Sequence, residues 1–313
     1  MGKLIKKSLR KCWKRMDKKE YFDRISVYLE SKLRFLDDKP EETIESTVKS
    51  LWFKAAGIPV SAERAITLSL PDLSERQLDY LNDIIKLRVG NTPLAYITGR
   101  QNFMGIELLS DQRALIPRKE TELLGNKALD ISKKMIISNK KVIVMDVCCG
   151  CGNLGISVAN YNPDCIVFAS DISTEAVELT QENINLLNLG QRVFVQQADM
   201  MSAFEKQDYY NYFDMIMCNP PYISSSKVTK MDKEISINEP KLAFDGGMLG
   251  TKIIQKLIIE APKFLKKKGW LVFEVGSGQG QFIAQLCERA KTFSKIETTL
   301  DDSDSIRVIS ARK

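Results

Sequence analysis

The stretch Asn219-Pro220-Pro221-Tyr222 contains residue types that could hold a planar nitrogen nucleophile. The Asn219 side-chain oxygen and a carbonyl freed by the two prolines, which lack an N–H, can each accept one hydrogen from an NH2 group. The lone pair of that nitrogen then points away from the protein, and Tyr222 can stack on the flat group. The alternative is that Asn-Pro-Pro simply begins a turn.

A glycine loop lies about 70 residues upstream of this stretch. Gly150-Cys151-Gly152-Asn153-Leu154-Gly155 follows a β-branched run and opens a helical pattern, which is the context expected of a G-x-G-x-x-G ligand loop. Asp171, at the end of the next strand-like run, can accept two hydrogen bonds from a ribose diol. This pattern alone would suit a nicotinamide dinucleotide as well as S-adenosylmethionine.

Three features favour S-adenosylmethionine. Asp146 ends the first strand-like run, where a carboxylate would repel a pyrophosphate but could hold the ammonium of a methionine moiety. Asp199 ends the third run and could accept from an adenine amino group, and the Asn219 clamp ends the fourth. Each aspartate alone could be a helix N-cap. Their common placement at successive strand ends argues for one site, because ligand crevices lie outside the carboxyl ends of such strands.

Composition excludes several kinds of chemistry. The chain has no histidine, so the commonest general base and every Ser-His or Cys-His nucleophile are absent. Of its seven cysteines, Cys148, Cys149 and Cys151 crowd into four positions, where a disulfide is improbable and a reducing compartment fits better. Without histidine or a second cysteine pair, a metal site is not expected. No run is apolar enough for a membrane span or secretory signal, so we expect a cytoplasmic protein.

Residues 1–20 form a basic segment, with nine Lys or Arg side chains against two acidic ones in a chain of net charge +6. Leu4, Ile5, Leu9 and Trp13 recur at helical spacing, which predicts a basic amphipathic extension. Such a helix could contact an anionic partner such as RNA or a membrane surface. It could equally be a solvated helix docked by its apolar stripe.

The remaining pattern predicts a helical domain at 21–90, a hairpin-like linker at 91–118 and an α/β domain at 119–313. Within the linker, 96–99 and 104–109 are interpreted as short extended pieces. After residue 119, helical and strand patterns alternate, which predicts a mainly parallel sheet covered on both faces. The apolar pattern identifies six strands: 141–146, 165–170, 192–196, 213–218, 270–275 and 306–310.

Five motifs occur in the order seen in the release-factor glutamine methyltransferases, the PrmC/HemK family, which the chain resembles over roughly 90–313. They are the segments 91–99, 116–122, 146–152, 219–222 and 239–247. The resemblance implies a small helical substrate-recognition domain, a hairpin linker and a seven-stranded, Rossmann-like class I methyltransferase domain. It also implies that S-adenosylmethionine methylates the glutamine amide in the Gly-Gly-Gln loop of peptide chain release factors.

Together, the residues and the resemblance give a candidate site. The cofactor set is Phe103, Asp146, Cys148, Cys149, Gly150, Cys151, Gly152, Asp171, Asp199, Met200 and Asn219, with Phe103 expected near the sulfonium. The catalytic set is Asn219, Pro220, Pro221 and Tyr222, and the substrate-binding set adds Arg118. The family usually has glycine where this chain has Cys148.

Other functions use the same clamp. A related enzyme could methylate a small-molecule or peptide amide or amine, and exocyclic base amines would suit a DNA or RNA amino-group methyltransferase. A protein that binds its ligand without catalysis is a further alternative, which the absence of cofactor binding would favour.

Overall fold

The structure is a computed structural model that describes residues 17–136 and 141–313. The chain divides into two compact units after Arg100, inside the segment predicted as a linker. The finer domain boundaries stay predictions. Most of the basic segment, residues 1–16, lies outside the described residues. The predicted helix and anionic partner of this segment therefore stay predictions.

The first unit is helical, as predicted for 21–90. Its helices are α1 (Lys18–Glu30), α2 (Ile44–Ala55), α3 (Ala62–Ile66), α4 (Glu75–Val89) and α5 (Leu94–Thr98). Ser74 caps α4, because its hydroxyl accepts from the Gln77 N–H while the Gln77 side chain accepts from the Ser74 N–H. Leu51 and Leu81 lie fully buried in the core of this unit.

The prediction of an extended piece at 96–99 is wrong, since these residues belong to α5 and its cap. Gly99 ends the helix with φ of +74°, the left-handed conformation that favours glycine, and its N–H donates to the Ala95 carbonyl. The predicted hairpin follows, with β1 (Arg100–Phe103) paired to β2 (Ile106–Leu109).

The second unit alternates strands and helices from residue 122 onward. Its principal helices are α6 (Glu122–Ile136), α7 (Asn153–Tyr161), α8 (Thr174–Leu186), α9 (Ser225–Val228), α10 (Lys233–Asn238), α11 (Lys252–Phe264) and α12 (Gly280–Arg289). Its large sheet contains β3 (Val142–Val147), β4 (Cys165–Asp171), β5 (Val193–Gln197), β6 (Phe213–Cys218), β7 (Leu265–Glu274), β8 (Lys295–Leu300) and β9 (Ile306–Arg312).

The seven strands are arranged in the order β5-β4-β3-β6-β7-β9-β8. Strands β5, β4, β3, β6 and β7 are parallel, and β9 is antiparallel to both of its neighbours. This confirms the predicted mainly parallel sheet. The order reverses between β3 and β6, so the crevice expected for a ligand lies at the carboxyl ends of these two strands.

Alternate residues of the central strands pack into two separate hydrophobic cores, one on each face of the sheet. On β3, Val144 faces a core built with α6, α7 and α8, whereas Met145 faces a core built with α11 and α12. On β6, Met217 and Ile216 divide in the same way. Helices therefore cover both faces of the sheet, which explains why these strands are apolar along their whole length.

The pattern did not identify β8, which pairs only with β9. Its sequence, Lys-Ile-Glu-Thr-Thr-Leu, has no buried position, because one side of this edge strand is open. Within the described residues, no helix has the length and apolar character that crossing a bilayer requires.

Candidate active site

A cleft opens at the carboxyl ends of β3, β4, β5 and β6. Nine of the predicted site residues line it: Arg118, Cys148, Cys149, Gly150, Asp171, Asp199, Met200, Asn219 and Pro221. Others that line it include Leu115, Thr121, Ile172, Pro240, Leu242 and Asp245. The structure therefore brings together residues from four strand ends that the sequence separates by up to about 70 positions.

Six predicted residues do not line the cleft as the structure stands: Phe103, Asp146, Cys151, Gly152, Pro220 and Tyr222. Phe103, on β1, is 1% exposed and packs in the core beside α6 and α7. Its contact with a cofactor stays a prediction. Asp146, beneath the glycine loop, and Cys151, within it, are both buried.

The glycine loop begins with left-handed backbone at Cys148, whose φ is +58°, and at Gly150, whose φ is +57°. A Cβ at Gly150 would meet nothing within 4 Å, so the cleft lies open against this backbone. Gly152 differs, because a Cβ there would lie 2.8 Å from Thr180. Gly152 thus provides close packing of the loop, whereas the contact of Gly150 with a ligand stays a prediction.

Asp146 holds the loop from below. Its Oδ2 accepts a 2.8 Å hydrogen bond from the N–H of Gly155 in the first turn of α7. Burial raises the pKa of this carboxyl to about 7, although the Gly155 bond opposes the shift. The predicted contact with a methionine ammonium stays a prediction; the structure shows a carboxylate that joins β3 to α7.

Asp171 ends β4 and is tied to the loop. Its Oδ2 accepts from the Gly150 N–H at 2.9 Å, and its Oδ1 accepts from the Ser173 N–H at 3.0 Å. Each carboxylate oxygen keeps a lone pair that can accept from a ligand hydroxyl. Burial raises the pKa of Asp171, and its backbone hydrogen bonds oppose that rise.

Asp199 and Met200 follow β5 at the far side of the cleft. Asp199 pairs with Lys256 of α11, with Oδ2 and Nζ 3.0 Å apart. Met200 has φ of +53°, and its carbonyl accepts from the Ser170 hydroxyl at 2.8 Å. This bond joins the ends of β4 and β5 and holds both residues at the cleft wall.

Asn219 follows β6 directly and lies at the cleft surface. Its Nδ2 donates to the hydroxyl of Thr121, 3.1 Å away, in the short 3-10 helix Lys119–Thr121. Beyond the prolines, the Ile223 N–H donates to the Phe244 carbonyl at 3.0 Å, and the Ile223 carbonyl accepts from the Gly246 N–H at 2.9 Å. The predicted motif at 239–247 therefore supports the turn that carries Asn219.

Tyr222 extends into a polar cluster behind the cleft. Its hydroxyl donates to Glu274 Oε1 at 2.8 Å and lies 3.2 Å from Glu120 Oε1. Arg307 pairs with Glu120 at 2.7 Å. Burial raises the pKa of the Tyr222 hydroxyl well above its ordinary value, and the two carboxylates raise it further. Stacking on a substrate stays a prediction.

Arg118 is paired within the protein. Its Nη2 lies 2.6 Å from Oε1 of Glu239, and both side chains are buried. Oε2 of Glu239 accepts from the Ile116 N–H at 3.1 Å, and the Ile116 carbonyl accepts from Arg118 Nη1 at 2.9 Å. This closed set of bonds fixes the segment before the short 3-10 helix against the segment after α10. A substrate contact of Arg118 stays a prediction.

Sequence reasoning assigned no role to Thr121, Glu239, Glu274 or Arg307. Glu239 and Thr121 lie inside recognised motifs, and Glu274 is a carboxylate in an otherwise apolar strand run. That last feature was a usable signal, because a buried charge requires partners. Arg307 carries the same signal, because it is a charged residue in the apolar run Ile306-Arg307-Val308-Ile309.

Comparisons with known proteins agree with this geometry. A family model described as the methyltransferase small domain matches residues 119–249. The chain is 32% identical over 241 residues to a release factor glutamine methyltransferase of Clostridium acetobutylicum, covering 77% of this chain and 82% of that protein. It is also 32% identical over 233 residues to the protein of that name from Buchnera aphidicola, covering 74% and 80%.

The likeness to solved structures concerns the fold. The catalytic domain of hMettl16, solved in complex with the MAT2A 3′UTR hairpin 6, superposes with a TM-score of 0.52 at 14% identity, over 73% of this chain and 81% of that one. The second unit therefore has a class I methyltransferase fold. With its identity to the curated relatives over most of their length, the chain belongs to the release factor glutamine methyltransferase family.

Proposed function

We propose that this enzyme transfers a methyl group from S-adenosylmethionine to the side-chain nitrogen of the glutamine in the Gly-Gly-Gln loop of a peptide chain release factor. The observation that carries the proposal is the position of Asn219. Its amide lies at the cleft surface, at the end of β6, with its NH2 already bound inside the protein to Thr121. The carbonyl oxygen Oδ1 is thereby left for a ligand NH2 group. Family membership supports the identity of the substrate.

The cleft residues fit the proposed cofactor. Open space against Gly150 gives a backbone surface that a ligand can approach closely, and Asp171 offers acceptor positions for a ribose diol. Asp199 can accept from an adenine amino group, because its pair with Lys256 uses one carboxylate oxygen. Cys148 and Met200 would complete the walls. When bound, S-adenosylmethionine supplies a methyl group on a positively charged sulfur.

Asn219 and Pro220 would orient the nucleophile. Asn219 Oδ1 and the Pro220 carbonyl accept the two hydrogens of the glutamine amide, so its nitrogen is held with the lone pair towards the methyl carbon. Alignment of this kind supplies a large part of the rate of a bimolecular displacement. The two acceptors also stabilise the positive charge that develops on the nitrogen. One of the two hydrogens leaves as a proton after transfer, so no histidine is required.

The remaining predicted residues would position this clamp. The Arg118–Glu239 pair fixes the segment that leads to Thr121, and Tyr222 fixes the end of the Asn-Pro-Pro turn through Glu274. Pro221 lines the cleft, and Pro220 restricts the backbone of Asn219, the residue before it. These contacts hold the acceptors rigidly before a substrate arrives, which is what an oriented displacement requires.

Mass spectrometry of a release factor after incubation with isotope-labelled S-adenosylmethionine tests the proposal. We expect one labelled methyl group on the glutamine of the Gly-Gly-Gln loop and none on a factor in which that residue is changed by Gln→Ala. A labelled methyl group on the altered factor would contradict the proposal that this glutamine is the substrate. Strongly salt-dependent binding and methylation of nucleic acid would favour the amino-group alternative instead.

Asn219→Ala tests the mechanism. Removing a transition-state acceptor of this kind lowers turnover by about 10²–10³-fold, while S-adenosylmethionine should still bind measurably. Asn185→Ala, on the exposed surface of α8, is the matched control and should retain normal turnover. Near-normal turnover of Asn219→Ala would refute the role of the clamp.

A further inference from the structure

Gln279, at the N-cap position of α12, contacts the end of the Asn-Pro-Pro-Tyr turn. Its Oε1 accepts from the N–H of Gly276, just after β7, at 3.0 Å. Its Nε2 donates to the Tyr222 carbonyl at 3.0 Å and lies 3.5 Å from the carbonyl oxygens of Leu249 and Gly250. One side-chain amide therefore joins the segments after β6 and β7 and connects both to the loop that leads into α11.

The backbone groups around Gln279 allow only one orientation of its amide. An N–H can only donate and a carbonyl can only accept, so Oε1 must face Gly276 and Nε2 must face Tyr222. The opposite orientation would place the NH2 group on a donor and the amide oxygen against carbonyl oxygens. The donor to the Tyr222 carbonyl is therefore the NH2 group of Gln279.

Two buried glycines make room for this amide. A Cβ at Gly250, whose φ is +70°, would overlap the Tyr222 carbonyl oxygen and would lie 2.9 Å from Gln279 Nε2. A Cβ at Gly276 would lie 2.8 Å from Gln279 Oε1. The loop before α11 and the segment after β7 thus approach Gln279 more closely than any other residue type allows.

Gln279 helps to fix one peptide group of the turn from both sides. The Tyr222 carbonyl and the Ile223 N–H belong to the same planar peptide unit. Gln279 donates to that carbonyl, and the Phe244 carbonyl accepts from that N–H at 3.0 Å. This peptide group therefore cannot rotate without breaking one of the two bonds.

The turn before this peptide group has little freedom of its own. Asn219 is bound to Thr121 at the start of the turn, and the rings of Pro220 and Pro221 fix φ at both residues. The direction of the Pro220 carbonyl then depends on ψ of the two prolines. The position of the Tyr222 peptide group sets these two angles.

We propose that Gln279 is a positioning residue that fixes the Pro220 carbonyl as the second acceptor for the substrate amide. Gln279 does not line the cleft, and it acts on the turn through the backbone carbonyl of Tyr222. The inference rests on the proposed function for the NH2 group that Pro220 receives. We therefore expect loss of this bond to lower kcat rather than the affinity for the cofactor.

Gln279→Glu and Gln279→Met separate the donor from the side chain that carries it. The glutamate keeps an acceptor for Gly276 but, when ionised, has no hydrogen for the Tyr222 carbonyl. Protonation at lower pH restores one O–H donor, whereas Gln279→Met lacks a donor at every pH. Gln281→Glu, exposed on α12, is the matched control for the change of charge.

Hydrogen exchange of the Ile223 amide, followed by NMR, tests the inference without any substrate. Relative to the unaltered protein at about pH 8, exchange should be about tenfold faster in Gln279→Glu and Gln279→Met and unchanged in Gln281→Glu. As the pH falls to about 5, this ratio should return towards one in Gln279→Glu alone. The ratio removes the contribution of the charged and titratable groups near the turn, which are Glu120, Tyr222, Glu274 and Arg307. Equal exchange in all four proteins would overturn the inference.

Turnover gives a readout that a loss of packing would not move. With release factor as substrate, kcat at about pH 8 should fall about tenfold in Gln279→Glu and Gln279→Met, while the Kd of S-adenosylmethionine stays unchanged. KM should change less than kcat, because the charge that the Pro220 carbonyl stabilises develops only during transfer. Relative to the unaltered enzyme, kcat should recover at lower pH in Gln279→Glu and not in Gln279→Met. A loss without pH dependence in both variants would assign Gln279 a purely structural role.

The two experiments separate the inference from the proposed function. If the unaltered enzyme does not methylate a release factor, the proposed function fails, and amide exchange still decides whether Gln279 fixes the turn. If methylation occurs but neither exchange nor kcat responds to Gln279, the inference alone fails.

Discussion

Glu274→Gln should change how the stability of the sheet unit depends on pH. Burial raises the pKa of Glu274 from 4.5 to about 7, with the Glu120 charge as the next cause. Between these values the folded protein keeps a proton that the unfolded chain has lost. Stability that is fully present below pH 4.5 is therefore lost as pH rises through about 7.

The magnitude follows from the size of the shift. One extra bound proton gives a slope of about −1.4 kcal/mol per pH unit, or a loss of about 3 kcal/mol across the window. Glu274 is 1% exposed, so solvent screening reduces this little. Glu274→Gln cannot titrate, and its free energy of unfolding should lack this slope. Asp146 contributes a slope of the same sign in both proteins, since its pKa is also raised to about 7.

Urea unfolding at pH values from 4.5 to 8, followed by the fluorescence of Trp270 with the other two tryptophans replaced by phenylalanine, measures the slope in this unit. Glu297→Gln is the matched control. Lys127 and Lys295 lower the pKa of Glu297 to about 2, so its contribution is lost only as pH falls below about 4.5. Its effect on stability should be constant from pH 5 to 8. A free energy of unfolding of the unaltered protein that does not fall, relative to that of Glu274→Gln, as pH rises from 4.5 to about 7 would refute the reasoning.

Three further predictions test the structure around the cleft. Glu239→Gln leaves Arg118 as an unmatched buried charge, and we expect the free energy of unfolding to fall by about 3–5 kcal/mol in urea. Gly150 and Gly278 both have left-handed backbone and open space where a methyl group would be added, so Gly150→Ala and Gly278→Ala should each lower the free energy of unfolding by about 1 kcal/mol. Only Gly150→Ala should also weaken S-adenosylmethionine binding, measured by calorimetry. Cys148→Gly should raise stability by about 0.5–1 kcal/mol, because its φ of +58° suits glycine; a loss would contradict the strain.

Local patterns were sufficient for the features that depend on neighbouring residues. The β-branched run before the glycine loop predicts β3, and Ser74 with Gln77 predicts the start of α4. The motif at 219–222 follows a wholly apolar strand, so its place at a strand end could be read from the sequence. Such features need no knowledge of the partner that packs against them.

Features that depend on distant partners were not predicted. Strand β8 is polar and is held by its pairing with β9. The same reason applies to the supports of the site: Arg118 finds Glu239 across 121 residues, and Asn219 finds Thr121 across 98. The resemblance could place Arg118 near a substrate, but only the fold shows the carboxylate that pairs with it. The error at α5 has a different cause, because this single turn ends at Gly99, a local signal that was interpreted as a turn after an extended piece.

Three buried carboxylates support the cleft, and they differ in their partners. Glu239 faces a guanidinium at 2.6 Å. Asp146 and Glu274 are buried without a cation of comparable proximity, and burial raises the pKa of each to about 7. Near neutral pH, charge therefore changes beneath the glycine loop at Asp146 and in the polar cluster around Tyr222 at Glu274. If the loop binds the cofactor and Asn219 orients the substrate, as we propose, the pH dependence of the cofactor Kd should follow Asp146 and that of kcat should follow Glu274.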